Sequence, residues 1–182
     1  MESIFLTGFM ATGKSAVGRE IAARLSMPFV DTDAEVETAA GMTIAEIFRR
    51  GGEAEFRDRE RQALARACEV RGAVVATGGG AIVDLRNRER MRAAGKIVCL
   101  AASPEAILAR LGEGDERPLL AGELDRVKRI RELLAEREGA YSAADWTVDT
   151  SGLTPSETAE AIVRWLRACS VDDVEGPRAR AR

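Results

Sequence analysis

The chain contains no histidine in its 182 residues. A histidine general base and any histidine-ligated metal centre are therefore excluded. Cysteine is scarce as well. Cys68, Cys99 and Cys169 are far apart and odd in number, so neither a disulfide framework nor a zinc spacing is present. Cys99 falls inside an apolar run and is expected to be a small core residue. No apolar run approaches the ~20 residues that a membrane span requires. The N-terminus has no charged segment ahead of a hydrophobic one, so no signal peptide is expected, and a cytoplasmic location is. The net charge is −3 and the sequence pI about 5.3, which leaves no basic footprint for a nucleic-acid partner. Lysine is nearly missing too: of 27 basic residues, only Lys14, Lys96 and Lys128 are not arginine. At 46% hydrophobic content, the remainder suits one compact soluble domain.

The hydrophobic pattern alternates between short apolar runs and segments of helical spacing. Residues 4–7, 27–30, 73–76, 97–100 and 146–148 read as strands. Helices are expected over 14–25, over 34–70 with breaks at Gly41 and Gly51-Gly52, and over 84–94. Others start at Ser103-Pro104, at Asp125 and at Thr154-Pro155, the last ending near Ala168. Thr43 is placed as an N-cap, with Glu46 closing a capping box. This order predicts an α/β fold, a five-stranded parallel sheet covered by helices on both faces, with ligands outside the carboxyl ends of the strands. One domain is expected over 1–169. It carries a glycine-rich loop over 112–124, and a polar tail over 170–182 is expected to be disordered.

Gly8-Phe9-Met10-Ala11-Thr12-Gly13-Lys14-Ser15 fits the pattern G-x-x-x-x-G-K-[ST] between a predicted strand and a predicted helix. Glycines let the backbone curl so that several N–H groups converge on a phosphate, and the helix N-terminus adds its positive dipole end. Lys14 reaches the outer phosphates of a nucleotide, and the Ser15 hydroxyl is a ligand for Mg²⁺. A chain that uses arginine almost everywhere has kept a lysine at this point. Ala11 suits the loop only if its φ is negative.

Four further groups accompany the loop, each with a plainer alternative. Asp31 and Asp33, two residues apart after the second strand, would face one side of an extended segment. One could serve Mg²⁺ and the other a substrate hydroxyl, or the pair could simply start a helix. Arg57 could bind a carboxylate with its forked guanidinium, or belong to a charged helix face with Glu53 and Glu60. Thr77-Gly78-Gly79-Gly80 follows the third strand, where backbone could approach a ligand closely, or could form an ordinary turn. Arg117, in the 112–124 loop, suits a lid that closes over a transferring phosphoryl group, or is a surface arginine.

In combination these residues resemble the shikimate kinase family. The resemblance rests on the loop 8–15, Asp31-Thr32-Asp33, Gly52-Glu53 with Phe56-Arg57 and Glu60, Gly78-Gly79-Gly80, Arg117-Pro118-Leu119-Leu120, and Arg137 four residues before Tyr141. It implies a phosphate-loop kinase fold like that of the nucleoside monophosphate kinases, with a mobile lid. It also implies ATP-dependent phosphorylation of the 3-hydroxyl of shikimate, a step toward chorismate and the aromatic amino acids, by a monomer that binds neither nucleic acid nor membrane. By the same resemblance Gly8, Ala11, Thr12, Gly13, Lys14, Ser15 and Ala16 would hold ATP, with Arg110 and Pro155 about its adenine and Arg117 as the lid arginine. Asp33 would serve the attacking hydroxyl. Arg57, Arg137, Gly79 and Gly80 would hold the acid, with Phe48 and Phe56 walling its pocket. Ser15 and Asp31 would serve Mg²⁺. Ala11 and Ala16 stand where the family often has Gly and Thr, and Gly139-Ala140 stand where it often has Pro-Leu.

Rival readings are separable by residue type. A gluconate kinase would share the build. A nucleoside monophosphate kinase would leave the arginines and the aspartate pair without a purpose. A GTPase needs an Asn-Lys-x-Asp base reader, but the chain's one asparagine, Asn87, precedes Arg88. A catalytically dead scaffold would be expected to have lost Lys14, Asp33 or Arg117.

Overall fold

The computed structural model describes residues 2–111, 118–120 and 125–172. Five strands form one sheet: β1 (Ser3–Thr7), β2 (Phe29–Asp31), β3 (Val74–Ala76), β4 (Gly95–Ala101) and β5 (Trp146–Asp149). Every pairing is parallel, and the order is β2-β3-β1-β4-β5. The helices are α1 (Lys14–Leu25), α2 (Thr32–Ala40), α3 (Ile44–Glu69), α4 (Leu85–Ala94), α5 (Pro104–Leu111), α6 (Arg126–Tyr141) and α7 (Pro155–Asp172).

Strand alternation sorts the core into two layers. Ile4, Leu6, Val74, Val98 and Leu100 face α1 and α7, where Val17, Ile21, Ala159 and Ile162 meet them. Phe5, Val75 and Ile97 face the opposite way and pack on Leu64 and Ala67 of α3 and Met91 of α4. Phe5, Leu6, Ile21 and Ile97 are fully buried, each contributing roughly 1.5–3 kcal/mol of burial free energy. The strands read as continuous apolar runs because both faces of the sheet are covered.

Two differences from the predicted elements matter. α7 continues through Asp172, past the boundary expected at 169. A 3-10 turn at Ala81–Val83, not expected from the sequence, follows the three glycines. The predicted breaks at Gly41 and Gly51-Gly52 are present in different forms. Gly41 ends α2 in the left-handed region, whereas Gly52 (φ +73°, ψ −174°) kinks α3 without ending it. The Thr43–Glu46 capping box is formed as expected.

The register aligns the carboxyl ends. Leu6 pairs with Ala76, and Ala76 pairs with Asp31. The chain therefore leaves β1, β3 and β2 side by side, which brings the loop 8–15, the glycines 78–80 and the aspartates together. No helix among the described residues is long and apolar enough to cross a membrane.

Candidate active site

A cavity of about 270 Å³ opens at these strand ends. Its walls include Ala11, Gly13, Lys14, Ser15 and Ala16 from the loop and α1, Asp31 and Asp33, Phe48, Phe56, Arg57 and Glu60 from α3, Gly79 and Gly80, and Arg137 from α6. Most of the residues singled out in the sequence thus meet in one place. Gly8, Thr12, Arg110 and Pro155 do not line it. Arg117 lies outside the described residues, as do most of the 112–124 loop and the tail beyond Asp172.

The phosphate loop curls by repeated excursions to positive φ, at Gly8 (+130°), Ala11 (+57°) and Gly13 (+95°). A side chain at Gly8 would also strike the Leu100 carbonyl of the neighbouring strand. Ala11 overturns the expectation of a negative φ. The cost of a left-handed alanine, roughly 1–2 kcal/mol, is carried by a loop fastened around it. Thr12 Oγ1 donates to the Phe9 carbonyl (2.8 Å), and Arg110 donates to the Ala11 carbonyl (3.4 Å) while also gripping Thr150 at the end of β5. A β-branched side chain is far less compatible with this backbone. Ala11→Val should lower stability by about 1–2 kcal/mol and Ala11→Gly should not. Urea unfolding checks this; equal midpoints for valine and alanine would contradict a left-handed residue 11.

α1 starts at Lys14 with Gly13 as N-cap, and no side chain caps its first turn. Its leading N–H groups and dipole end face the cavity unshielded, an arrangement suited to an anion. Lys14 Nζ donates to the carbonyls of Gly8 (3.0 Å) and Phe9 (2.8 Å), which holds the ammonium across the loop.

The aspartates share the cavity for a different reason from the one the sequence suggested. Asp31 ends β2 and caps α2: its Oδ1 accepts from the backbone N–H of Asp33 (3.1 Å) and of Ala34 (3.4 Å). Asp33 sits in the first helical turn, not on an extended strand. The helix-start alternative therefore holds for Asp31, which also lines the cavity. Its other oxygen, Oδ2, accepts from Ser15 Oγ at 2.6 Å, tying the aspartate to the loop.

α3 wraps the cavity because of its kink. On an unbroken helix, at about 100° per residue, Ile44 and Glu60 would point about 160° apart. The turn at Gly52 lets Ile44 and Phe48 before it, and Phe56, Arg57 and Glu60 after it, line one space. Phe48 and Phe56 meet with ring centroids 4.9 Å apart. Arg57 donates to Glu53 Oε1 and, through Nη1, to Glu60 Oε2 at 2.8 Å. It is both a member of a charged helix face and a wall of the cavity. Glu60 is 2% exposed. Burial pushes its carboxyl up, Arg57 pulls the other way, and the nearby Asp33 adds to the rise. Burial also works against the Arg57 cation, but Glu60 and Glu53 more than reverse that effect.

The glycines are required by crowding. A Cβ on Gly78 would lie 2.2 Å from Glu60 Oε1 and 2.8 Å from Asp33 Oδ1; on Gly80 it would lie 2.4 Å from Arg57 Nη1. The same distances order the wall: guanidinium at Gly80, carboxylates at Gly78, then Asp31 at Ser15 and the phosphate loop. Arg137, 9% exposed, lies on the guanidinium side, 5.5 Å over the Phe9 ring. Among the described residues it makes no ion pair.

Sequence reasoning assigned no role to the side chains of Met10, Ile44 or Leu119, which also line the cavity, as does Thr77 at the head of the glycine run. For Ile44 a signal existed, since it directly follows the Thr43 cap.

The chain is similar to known proteins over nearly its whole length. Residues 10–167 match the model of the shikimate kinase family. A shikimate kinase of Caldanaerobacter subterraneus subsp. tengcongensis is 48% identical over 164 residues, covering 90% of this chain and 95% of that protein. The solved structure of a shikimate kinase from Acinetobacter baumannii in complex with shikimate superposes with a TM-score of 0.88 at 35% identity, covering 92% of this chain and 94% of that one. A gluconokinase from Sinorhizobium meliloti, at 19% identity and a TM-score of 0.59 over 97% of this chain and 98% of its own, shares the fold alone. A match that runs from the phosphate loop to the last helix is one of family as well as fold: this chain belongs to the shikimate kinase family.

Proposed function

We propose that this chain transfers the γ-phosphoryl group of ATP to the 3-hydroxyl of shikimate, giving shikimate 3-phosphate and ADP. The observation that carries the reading is Arg137, a nearly buried guanidinium that lines the cavity and has no carboxylate in ion-pair range among the described residues. A nearly buried cation that feels Glu60 only at a distance and makes no ion pair is costly, and an anionic substrate lowers that cost. A hydroxylated acid suits the order of the wall. Its carboxylate meets Arg57, Arg137 and the Gly79-Gly80 backbone, and its hydroxyl meets Asp33 and then the phosphate loop. Phe48 and Phe56 pack against the ring.

Catalysis in this reading is positioning and charge neutralisation. The loop N–H groups and Lys14 hold the phosphates. Asp33 accepts the hydrogen bond of the substrate hydroxyl and takes its proton as the new phosphorus–oxygen bond forms and the bond to the ADP oxygen breaks. Arg110 and Pro155 flank the adenine. To Arg117 and the 112–124 loop we assign closure over the phosphoryl group.

The residues also suit Mg²⁺. Ser15 Oγ and Asp31 Oδ2 are adjacent hard oxygen donors, and no cluster of three acidic or thiol side chains among the described residues could cage a metal alone. Magnesium is commonly held by one or two protein oxygens together with substrate phosphates and water. Ser15 and Asp31 would hold it, and its charge would offset that of the phosphates.

Arg137→Leu is the cleaner test of the assignment, because Arg137 makes no direct ion pair and the buried Glu60 keeps its own with Arg57. KM for shikimate should rise about 10–100-fold, as for the loss of a charge-assisted fork, with KM for ATP nearly unchanged and thermal stability retained. Steady-state kinetics with each substrate varied would check it. An equal rise in both KM values would remove Arg137 from the acid subsite. Arg57→Ala is a poorer probe, since it also leaves Glu60 buried and unpaired.

A further inference from the structure

Tyr141 is the last residue of α6, and its hydroxyl donates to the Gly79 carbonyl at 2.8 Å across 62 positions of sequence. The peptide bonds of the described residues are all trans. In a trans peptide the C=O and the following N–H point to opposite sides. With the Gly79 carbonyl drawn toward Tyr141, the Gly80 N–H is turned away from it, and both glycines line the cavity. Among the described residues that N–H has no protein acceptor.

The neighbouring backbone has its own fastenings. Thr32 Oγ1 accepts from the Gly78 N–H (3.0 Å), and the Ala81 N–H returns to the Gly78 carbonyl. Asn87 Nδ2 donates to the Ala81 carbonyl (3.0 Å). The Gly79-Gly80 peptide between them is held from the side-chain side by Tyr141. The tyrosine ring packs on the core layer that includes Phe5, Ile82 and Ile97, so the hydroxyl's position is set by the core. Burial pushes the phenol up to about 12, against the pull of the nearby Arg137 charge. The hydroxyl therefore keeps its proton, and remains a donor, throughout the neutral range.

We propose that Tyr141 is a positioning residue for the acid subsite: its hydroxyl anchors the Gly79 carbonyl and so aims the Gly80 N–H at the substrate carboxylate. The inference rests on the reading that a carboxylate binds there.

Tyr141→Phe removes the anchor and little else. In the full-length enzyme, KM for shikimate should rise about 5–10-fold, the effect of one hydrogen bond. The value of kcat and KM for ATP should stay within about twofold. The shikimate analogue with a primary alcohol in place of the carboxylate supplies a second readout. Its kcat/KM should be the same for wild type and variant, because the aimed N–H acts on the carboxylate. An unchanged KM for shikimate, or an equal loss with acid and alcohol, would overturn the proposal and leave the kinase assignment standing. A wild-type enzyme inactive on shikimate would instead overturn the assignment on which the proposal rests.

Discussion

Lys14→Ala should lower kcat by about 10³-fold or more, the scale seen when a cation that stabilises a transferring phosphoryl group is lost. The side chain starts α1, and its ammonium lies across the mouth of the loop on the Gly8 and Phe9 carbonyls. As charge builds on the oxygens between the β- and γ-phosphates, this cation stands where it is needed. The loop's shape has supports other than these two hydrogen bonds. That shape comes from positive φ at Gly8, Ala11 and Gly13 and from the Thr12 and Arg110 hydrogen bonds. The variant should therefore fold with a near-normal melting temperature. Single-turnover measurement of ADP formation separates chemistry from release; a variant retaining most of its kcat would remove the loop from the reaction.

Asp33→Asn should lower kcat by about 10²–10⁴-fold, the usual contribution of a positioned acid–base group, with KM for ATP within about twofold. The isosteric amide keeps the shape of the first turn of α2. It loses the ability to take a proton. Asp31, which meets Ser15 and caps α2, remains in place, so the magnesium and nucleotide side should be undisturbed. Kinetics at varied Mg²⁺ and ATP are the check. A marked loss of nucleotide or magnesium affinity, with kcat retained, would move Asp33 from the hydroxyl to the metal.

The two predictions draw on different kinds of legibility in the sequence. Lys14 could be placed from local pattern alone, because strand, glycine loop and helix are consecutive and the chemistry of phosphate binding fixes their spacing. The alternating strands were legible for a similar reason: each is a short apolar run buried on both faces. Asp33 does line the cavity, but the local argument that put it there was incorrect. Strand periodicity put both aspartates on one side, but Asp31 turns the chain into a helix, and what brings Asp33 to the cavity is the first turn of α2.

Other features depended on contacts far apart in sequence. The order β2-β3-β1-β4-β5 is a matter of which runs pair, and short apolar runs of similar composition do not encode their neighbours visibly. Ala11 carries a left-handed backbone because the surrounding loop holds it there, against its own propensity. The role of Gly78 and Gly80 became clear only with Glu60, Asp33 and Arg57 packed against them. Tyr141 meets Gly79 because the end of α6 passes the end of β3, and neither segment names the other.

The most direct test of the central claim is ADP release measured in parallel with shikimate and with gluconate as acceptor, at saturating ATP and magnesium. A site whose buried arginine and ordered carboxylates match one hydroxylated ring acid should favour shikimate by at least about 10³-fold in kcat/KM. Comparable rates with the two acids, or a preference for gluconate, would contradict the assignment.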